Sequence, residues 1–352
     1  MSKKDTPRIV VDAMGGDRAP EQIVKGVTKA SIETDIEVVL VGNESMIKPI
    51  IDDTKCNNKQ IELVHTDQVI THEDSPKEAL RRKKDSSLTK AAKLCGTEES
   101  IHGMVSAGNT GAYVLSALKY IPKIEGVSKA AIAANYPTWN HESGEGSHSF
   151  LLDMGANIYY NVEELVQIAL MGMVYASDVL NIESPKVALL NIGQEPHKGG
   201  DPYRSVYSIL DDLDEVDFIG NIEGNDLLKG TADVVVTEGF VGNIVIKTIE
   251  GAADSLRKLG EHAYKEKLKW KLGIMALSDG VKQLESFTDY SEYGGAPILG
   301  FEELIIKAHG RSDSKAILNA IKVASKAYQD NVCGIISEVI SDFEAHFQPG
   351  QD

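Results

Sequence analysis

The sequence predicts an open α/β fold on the strength of three observations. Apolar runs of strand length alternate with longer stretches that carry apolar residues at helical spacing. In residues 8–27, 101–121, 150–176 and 232–259 an apolar run breaks into a turn rich in Gly, Asn or Asp and then enters a helix. No apolar run approaches the roughly 20 residues of a membrane span. In open α/β sheets such turns gather beyond the carboxyl ends of the strands, where ligands bind.

Composition narrows the class. The chain has 352 residues, 36 basic and 53 acidic, for a formal net charge of −17. That balance argues against nucleic-acid binding over the whole surface, though local basic patches are allowed. Cys56, Cys95 and Cys333 are scattered and form no metal-like pair, which fits a reduced, cytoplasmic setting. The opening MSKKDTPR has no apolar core, so no secretory leader is expected.

Taken in order, Arg8–Asp12 (RIVVD) is the first strand and runs into Gly15, Gly16 and Asp17. Pro20 opens a helix, where its missing N–H costs nothing. Asp12 and Asp17 either cap the turn or shape a site. The dinucleotide fingerprint is absent. Residues 37–42 form a second strand, 43–51 its helix and 61–65 a third strand. His72, Glu73 and Asp74 are neighbours in a polar loop, and three adjacent residues rarely converge on one metal. Pro76 starts a helix whose Arg81, Arg82, Lys83 and Lys84 are the densest basic run in the chain. Such a run either solvates a surface or receives an acidic partner or a phosphate. Residues 87–94 make the next helix.

The stretch 101–121 is the centre of the argument. Its turn holds Ser106, Gly108, Asn109 and Thr110, and Val114, Leu115, Leu118 and Ile121 follow at helical spacing. It is either a plain buried cap or a cluster of N–H groups and hydroxyls suited to an anion. Residues 130–134 form a strand. Residues 135–149, rich in Gly, Ser, His and Glu, read as a mobile loop, with His141, His148, Glu142 and Glu145 as metal-ligating types. The strand 150–153 ends in Asp153, with Asn157 in the turn behind it. Residues 187–191 are a strand and 205–213 a helix. Residues 218–219 make a short strand and 232–237 a longer one, whose turn carries Gly242 and Asn243. Residues 264–287 mix lysines with Trp270 and leucines, an amphipathic element for a partner subunit, a membrane surface or the core. Residues 290–297 read as a rigid polar turn. Residues 304–308 form a strand ending at His309, and 313–328 a helix.

Together these blocks resemble the bacterial phosphate acyltransferases, the acyl-carrier-protein:phosphate transacylases of phospholipid synthesis. The resemblance rests on VDAMGGD (11–17), VHTDQVI (64–70), ALRRKKDSS (79–87), VSAGNTGA (105–112), LLDMGAN (151–157) and LLNIG (189–193). It continues through GTADVVVTEGFVGNIVIKTIEG (230–251), YGGAPILG (293–300) and KAHGRSD (307–313). It implies a Rossmann-like three-layer α/β/α fold like that of phosphotransacetylases and isocitrate-dehydrogenase-like enzymes. One domain is expected over 1–347, with an amphipathic insertion at about 260–287 and a loose tail at 348–352. The implied reaction turns long-chain acyl-acyl carrier protein and inorganic phosphate into acyl phosphate, which feeds a glycerol-3-phosphate acyltransferase. It also implies a homodimer, with peripheral membrane contact in some members. Two departures stand out. HESGEGSHS lengthens the link before the LLD strand, and Gln194 replaces an acid in the turn that keeps Lys198.

This chemistry aligns phosphate with a thioester and stabilises an oxyanion, so it demands no cofactor, no metal and no enzyme nucleophile. The expected catalytic residues are Lys198, His309, Asn243 and Asn109. Asp12, Gly15, Gly16, Asp17, Ser106, Gly108, Thr110, Asp153, Asn157 and Gly242 are expected to bind substrate. Ser106, Asn109, Thr110, Gly242 and Asn243 are expected to line one anion pocket. Arg81, Arg82, Lys83 and Lys84 are expected to meet the acidic carrier protein. The competing classes are a phosphotransacetylase-like enzyme or dehydrogenase of related fold, and a non-catalytic lipid-synthesis scaffold.

Overall fold

The computed structural model describes residues 6–140, 145–276 and 294–347. The first elements are β1 (Arg8–Asp12), α1 (Glu21–Glu33), β2 (Glu37–Gly42), α2 (Glu44–Asp52) and β3 (Ile61–His65). There follow α3 (Pro76–Arg82), α4 (Ser87–Thr97), β4 (Gly103–Ser106), α5 (Thr110–Tyr120), β5 (Ala131–Asn140) and β6 (Glu145–Leu152). Next come α6 (Val162–Asp178), β7 (Val187–Leu190), α7 (Asp201–Asp212), β8 (Phe218–Ile222), β9 (Val234–Val236), α8 (Gly239–Glu266) and α9 (Leu268–Ala276). The last are β10 (Ala296–Leu299), β11 (Leu304–Lys307), α10 (Ser314–Gln329) and α11 (Val332–His346). The chain packs as two compact units. The first holds 1–134, 170–185 and 291–352, and the second 135–169 and 186–290.

In the first unit the strand order is β3-β2-β1-β4-β11-β10-β5. β1, β2, β3, β4 and β11 run parallel, and β10 is antiparallel to both of its neighbours. The parallel strands are apolar almost throughout because both faces are covered. Ile9, Val10, Val11, Leu40, Val105 and Ile305 are fully buried. α1 and α10 pack on each other, as do α4 and α5. Gly26 makes the first contact possible, since a Cβ there would lie 2.6 Å from Ile317. Connection β1–β2 runs one way along the sheet and β3–β4 returns the other way. Right-handed crossovers therefore put their helices on opposite faces. The order reverses between β1 and β4, the position where doubly wound sheets open a crevice beyond the strand ends.

The second unit is a parallel sheet, β6-β9-β7-β8. Leu151, Ala188, Val235, Leu227 and Ile246 form its core. Here too β9 enters between β6 and β7, so the turns after β6, β9 and β7 lie side by side.

Three expectations are corrected. Residues 135–149 are mostly strand, with only 141–144 outside the described residues. The run AIAANYPTW has the small and aromatic residues of a laddered strand, and FLL extends backward through Ser147, His148 and Ser149. No group of three potential metal ligands occurs among the described residues. Of the expected polar turn at 290–297, residues 290–293 lie outside the described residues, Gly294 and Gly295 take φ +80° and +86°, and the strand β10 begins at Ala296. Pro297 is tolerated because the ladder to β5 begins only at Ile298, so its missing N–H forfeits nothing. Finally, core packing of 264–287 is excluded for its described part. Leu268 is 74% and Leu272 58% exposed, and residues 277–287 lie outside the described region.

Candidate active site

The site is built from strand ends. In the first unit Asp12 closes β1. One oxygen accepts from the Met14 N–H (3.2 Å) and the other from the Ser106 hydroxyl (2.7 Å). Ser87 and the Gly15 N–H also donate to it. The carboxylate thus ties the ends of β1 and β4 to the start of α4. Burial outweighs those four bonds and lifts its pKa above the ordinary value. Gly15 and Gly108 let two turns meet. A Cβ on Gly15 would sit 2.4 Å from Asp12 and 2.8 Å from the Gly108 backbone. Gly16 has φ +113° and lies against Ala107 and Gly310, while the Asp17 N–H donates to the Gly310 carbonyl.

The second unit repeats the device. Asp153, fully buried after β6, accepts from the N–H groups of Gly155 (3.1 Å), Ala156 (3.0 Å) and Asn157 (2.8 Å). The Tyr160 hydroxyl donates to it at 2.8 Å and is itself braced by the Asn157 amide. α8 then lands on this turn through two glycines. A Cβ at Gly242 would lie 2.0 Å from the Asp153 carbonyl oxygen, and one at Gly239 2.3 Å from that of Asn157.

Much of the donor capacity of each Gly-rich turn is taken up by an aspartate of its own unit, so Asp12 and Gly15 brace the first turn, and Asp153, Asn157 and Gly242 the second. The Ser106 hydroxyl is likewise engaged. It donates to Asp12 and accepts from the Gly108 N–H at 3.0 Å. Asn109 caps α5, its Oδ1 accepting from Ala112, while its amide donates to the carbonyls of Thr71, His72 and Asp74. That pins the 71–74 loop at the strand-end edge and brings His72 Nε2 within 3.4 Å of Asp17. Thr110, the first residue of α5, stays exposed. His309 is exposed too, its Nδ1 accepting from the Arg311 N–H.

In the second unit Asn243 is exposed and packs on Gly155, with no hydrogen bond to its amide among the described residues. Lys198 lies in a loop closed by Asn191, whose amide donates to the Lys198 carbonyl and to Asn221. The Lys198 ammonium is half-exposed, 3.9 Å from Glu195. Gln194 donates to Asp226 at 3.2 Å, and Lys229 holds the Asp226 carboxyl low, so an acid at 194 would face a carboxylate. Gln194→Glu should therefore cost roughly 0.5–1 kcal/mol at neutral pH. The new carboxyl would titrate high beside Asp226, so the loss should fade as acid protonates it. Thermal melts of both proteins at neutral and acidic pH check this.

The basic run is also revised. Lys83 turns inward, donating to the Val69 carbonyl (2.9 Å) and to Asp74 (2.5 Å). Arg81, Arg82 and Lys84 remain exposed, the two arginines loosely shared with Glu78.

The sequence reading passes over Lys307, the last residue of β11, in register with Ser106. It is only 9% exposed. Its ammonium donates to the Ala308 carbonyl. The available signal was a lysine ending an otherwise apolar run, LIIK, directly before Ala-His-Gly.

This architecture is shared with solved phosphotransacetylases. A Streptococcus pyogenes phosphotransacetylase superposes with a TM-score of 0.60 at 15% identity, covering 92% of this chain and 94% of that one. A branched-chain phosphotransacylase from Enterococcus faecalis gives 0.55 at 15% identity, over 92% and 99%. Those likenesses establish the fold, a phosphotransacetylase-like α/β sheet flanked by helices. The sequence is more specific. Residues 7–335 match the family described as "Fatty acid synthesis protein". The "Phosphate acyltransferase" of Dictyoglomus turgidum is 46% identical over 321 residues, 91% of this chain and 93% of that protein. The Bacillus pumilus protein of the same name is 43% identical over 334 residues, 95% and 97% of the two chains. The chain belongs to the phosphate acyltransferase family.

Proposed function

We propose that this acyltransferase makes long-chain acyl phosphate from an acyl-acyl carrier protein and inorganic phosphate, by direct attack of a phosphate oxygen on the thioester carbonyl. The attacking oxygen forms the C–O bond, the tetrahedral oxyanion collapses, and the carrier thiolate leaves with a proton. The observation that carries this reading is the state of the chain's own nucleophiles. Burial pushes the Cys333 thiol up to about 12 and Cys95 higher still, and burial also raises Cys56. A thiol held protonated is a poor nucleophile. The Ser106 hydroxyl is buried and engaged on both sides, donating to Asp12 and accepting from the Gly108 N–H. Phosphate arrives already ionised and needs alignment more than activation. In the second unit, half-exposed Lys198 and exposed Asn243 are our candidates for steadying the developing charge. Mixing purified protein with acyl carrier thioester and phosphate, then trapping with hydroxylamine, should give acyl hydroxamate and free carrier thiol in equal amounts. No hydroxamate from the carrier thioester, with product from acetyl-coenzyme A instead, would replace this reading by a short-chain phosphotransacetylase.

The carrier is acidic by family resemblance, and so is this chain, so local positive charge must guide the encounter. Arg81, Arg82 and Lys84 supply it in our reading. Arg81→Glu with Arg82→Glu should weaken carrier binding about tenfold, with little change in phosphate affinity. Salt should weaken the wild type more than the variant. Calorimetry at two ionic strengths measures both, and equal affinities with equal salt slopes would remove the patch.

We also propose a homodimer, built on α8. That helix buries Gly239, Gly242 and Ile246 against its own unit, while Leu256 is 70% and Leu259 64% exposed farther along. Leu256→Glu with Leu259→Glu should convert the dimer to monomer in sedimentation. A variant still dimeric would shift these leucines to membrane contact. No helix among the described residues is long and apolar enough to cross a membrane.

A further inference from the structure

We infer that Lys307 is the residue of the first unit that binds the phosphate anion, its buried ammonium being left without a carboxylate partner so that a bound anion completes it. This rests on the phosphate-dependent reaction proposed above and assigns it a side chain that the sequence reading did not consider. Three features of the fold lead there.

The first is position. Lys307 ends β11, in register with Ser106 at the end of β4, beside the point where the strand order reverses between β1 and β4. Ligands of doubly wound sheets collect at that edge.

The second is the state of the ammonium. It is nine-tenths buried, yet among the described residues its hydrogen-bond acceptor is the Ala308 carbonyl alone, and it makes no ion pair. An ammonium carries three donors, so two are left over. A buried cation with no carboxylate at ion-pair distance is costly, and chains retain one where it does chemistry or binds charge. Burial pulls its pKa down to about 8, against the raising pull of Asp12 and then Asp17.

The third is that the nearby carboxylates are occupied. Asp12 accepts from Ser106, Ser87, Met14 and Gly15. Asp17 is exposed and lies beside His72. The N–H groups of Thr110 and Gly111, which open α5, have no acceptor among the described residues and add to the positive field at this edge.

Lys307→Met keeps the length and removes the charge. The folded variant should show a phosphate KM raised about tenfold or more, an unchanged KM for the acyl thioester, and a melting temperature equal to or above the wild type. A strut would behave oppositely, melting lower with phosphate saturation unchanged, and that result overturns the inference. Should Lys307→Met fail to fold, the wild-type protein decides. Sulfate keeps its charge from about pH 7 to about pH 10, where a lysine shifted to about 8 loses its own. Sulfate affinity by calorimetry should fall across that range, and a flat profile overturns the inference. The charged groups acting on Lys307 are Asp12 and Asp17; Tyr113, bonded to the carbonyl of the neighbouring Ile306, is pushed far up by burial. Lys307→Arg, charged throughout, should flatten the profile; an undiminished fall in that variant assigns the titration elsewhere and overturns the inference. Sulfate binding needs no turnover, so a wild-type protein that binds sulfate through Lys307 yet forms no acyl phosphate would fail the proposed reaction alone.

Discussion

Gly242→Ala should cost about 3 kcal/mol or more of stability and remove nearly all turnover. The added Cβ would lie 2.0 Å from the Asp153 carbonyl oxygen and 3.1 Å from Thr237 Cγ2. The nearest of these is backbone, so no rotamer change relieves the contact. The first turn of α8 would have to lift off β6, carrying Asn243 away from Gly155. Gly251, on the same helix, is the control. Nothing lies within 4 Å of a Cβ there, and its surroundings are exposed. Gly251→Ala should stabilise by up to about 1 kcal/mol, since alanine favours helix over glycine. Paired chemical denaturation curves check both. Equal midpoints for the two variants would mean that the close landing of α8 is unimportant.

Asp153→Asn should be the second severe change, at roughly 3–5 kcal/mol. The carboxylate accepts from three backbone N–H groups and the Tyr160 hydroxyl, all within 3.1 Å. An amide offers one acceptor oxygen and turns an NH2 toward groups that are themselves donors. Either the Gly155 and Ala156 N–H groups, or the Asn157 N–H and the Tyr160 hydroxyl, then lose this partner inside the protein. Tyr160→Phe removes one of those four bonds and should cost far less, about 1 kcal/mol. Thermal melts of both variants, read by circular dichroism, give the ordering. If Asp153→Asn melts like wild type, the turn is not held by its aspartate.

Much of this fold was legible because its strands are apolar runs closed by glycine turns. RIVVD, EVVLVG and VALL can be little else once both faces of a parallel sheet must be covered. The start of β10 was not legible, because Pro297 is a turn residue by local chemistry and follows two glycines. The ladder to β11 makes a strand from Ala296 on, while Gly294 and Gly295 stay outside it at positive φ. The 145–149 segment of β6 was hidden likewise, its serines and His148 reading as loop until paired with a neighbour. At the site, the sequence singled out these turns without showing what holds them. Asp12, Asp153 and Asn109 were expected to serve a ligand, and each also holds backbone groups of its own unit. Whether a carboxylate satisfies its own turn depends on a few tenths of an ångström that residue order does not encode. Lys307 was hidden by its strand, since a lysine at an element's end ordinarily reaches solvent. Gly295 lets the chain pass close to the end of β11, since a Cβ there would lie 2.8 Å from the Lys307 carbonyl.

The central claim is that phosphate itself attacks the thioester, with no acyl group passing through the protein. Isotope exchange tests it most directly. Acyl-acyl carrier protein is incubated with labelled free carrier and the enzyme, with and without phosphate. Direct attack predicts label in the acyl carrier only when phosphate is present, because only acyl phosphate can return the acyl group to a new thiol. Exchange at an undiminished rate without phosphate would mean an acyl-enzyme forms, and would contradict the account.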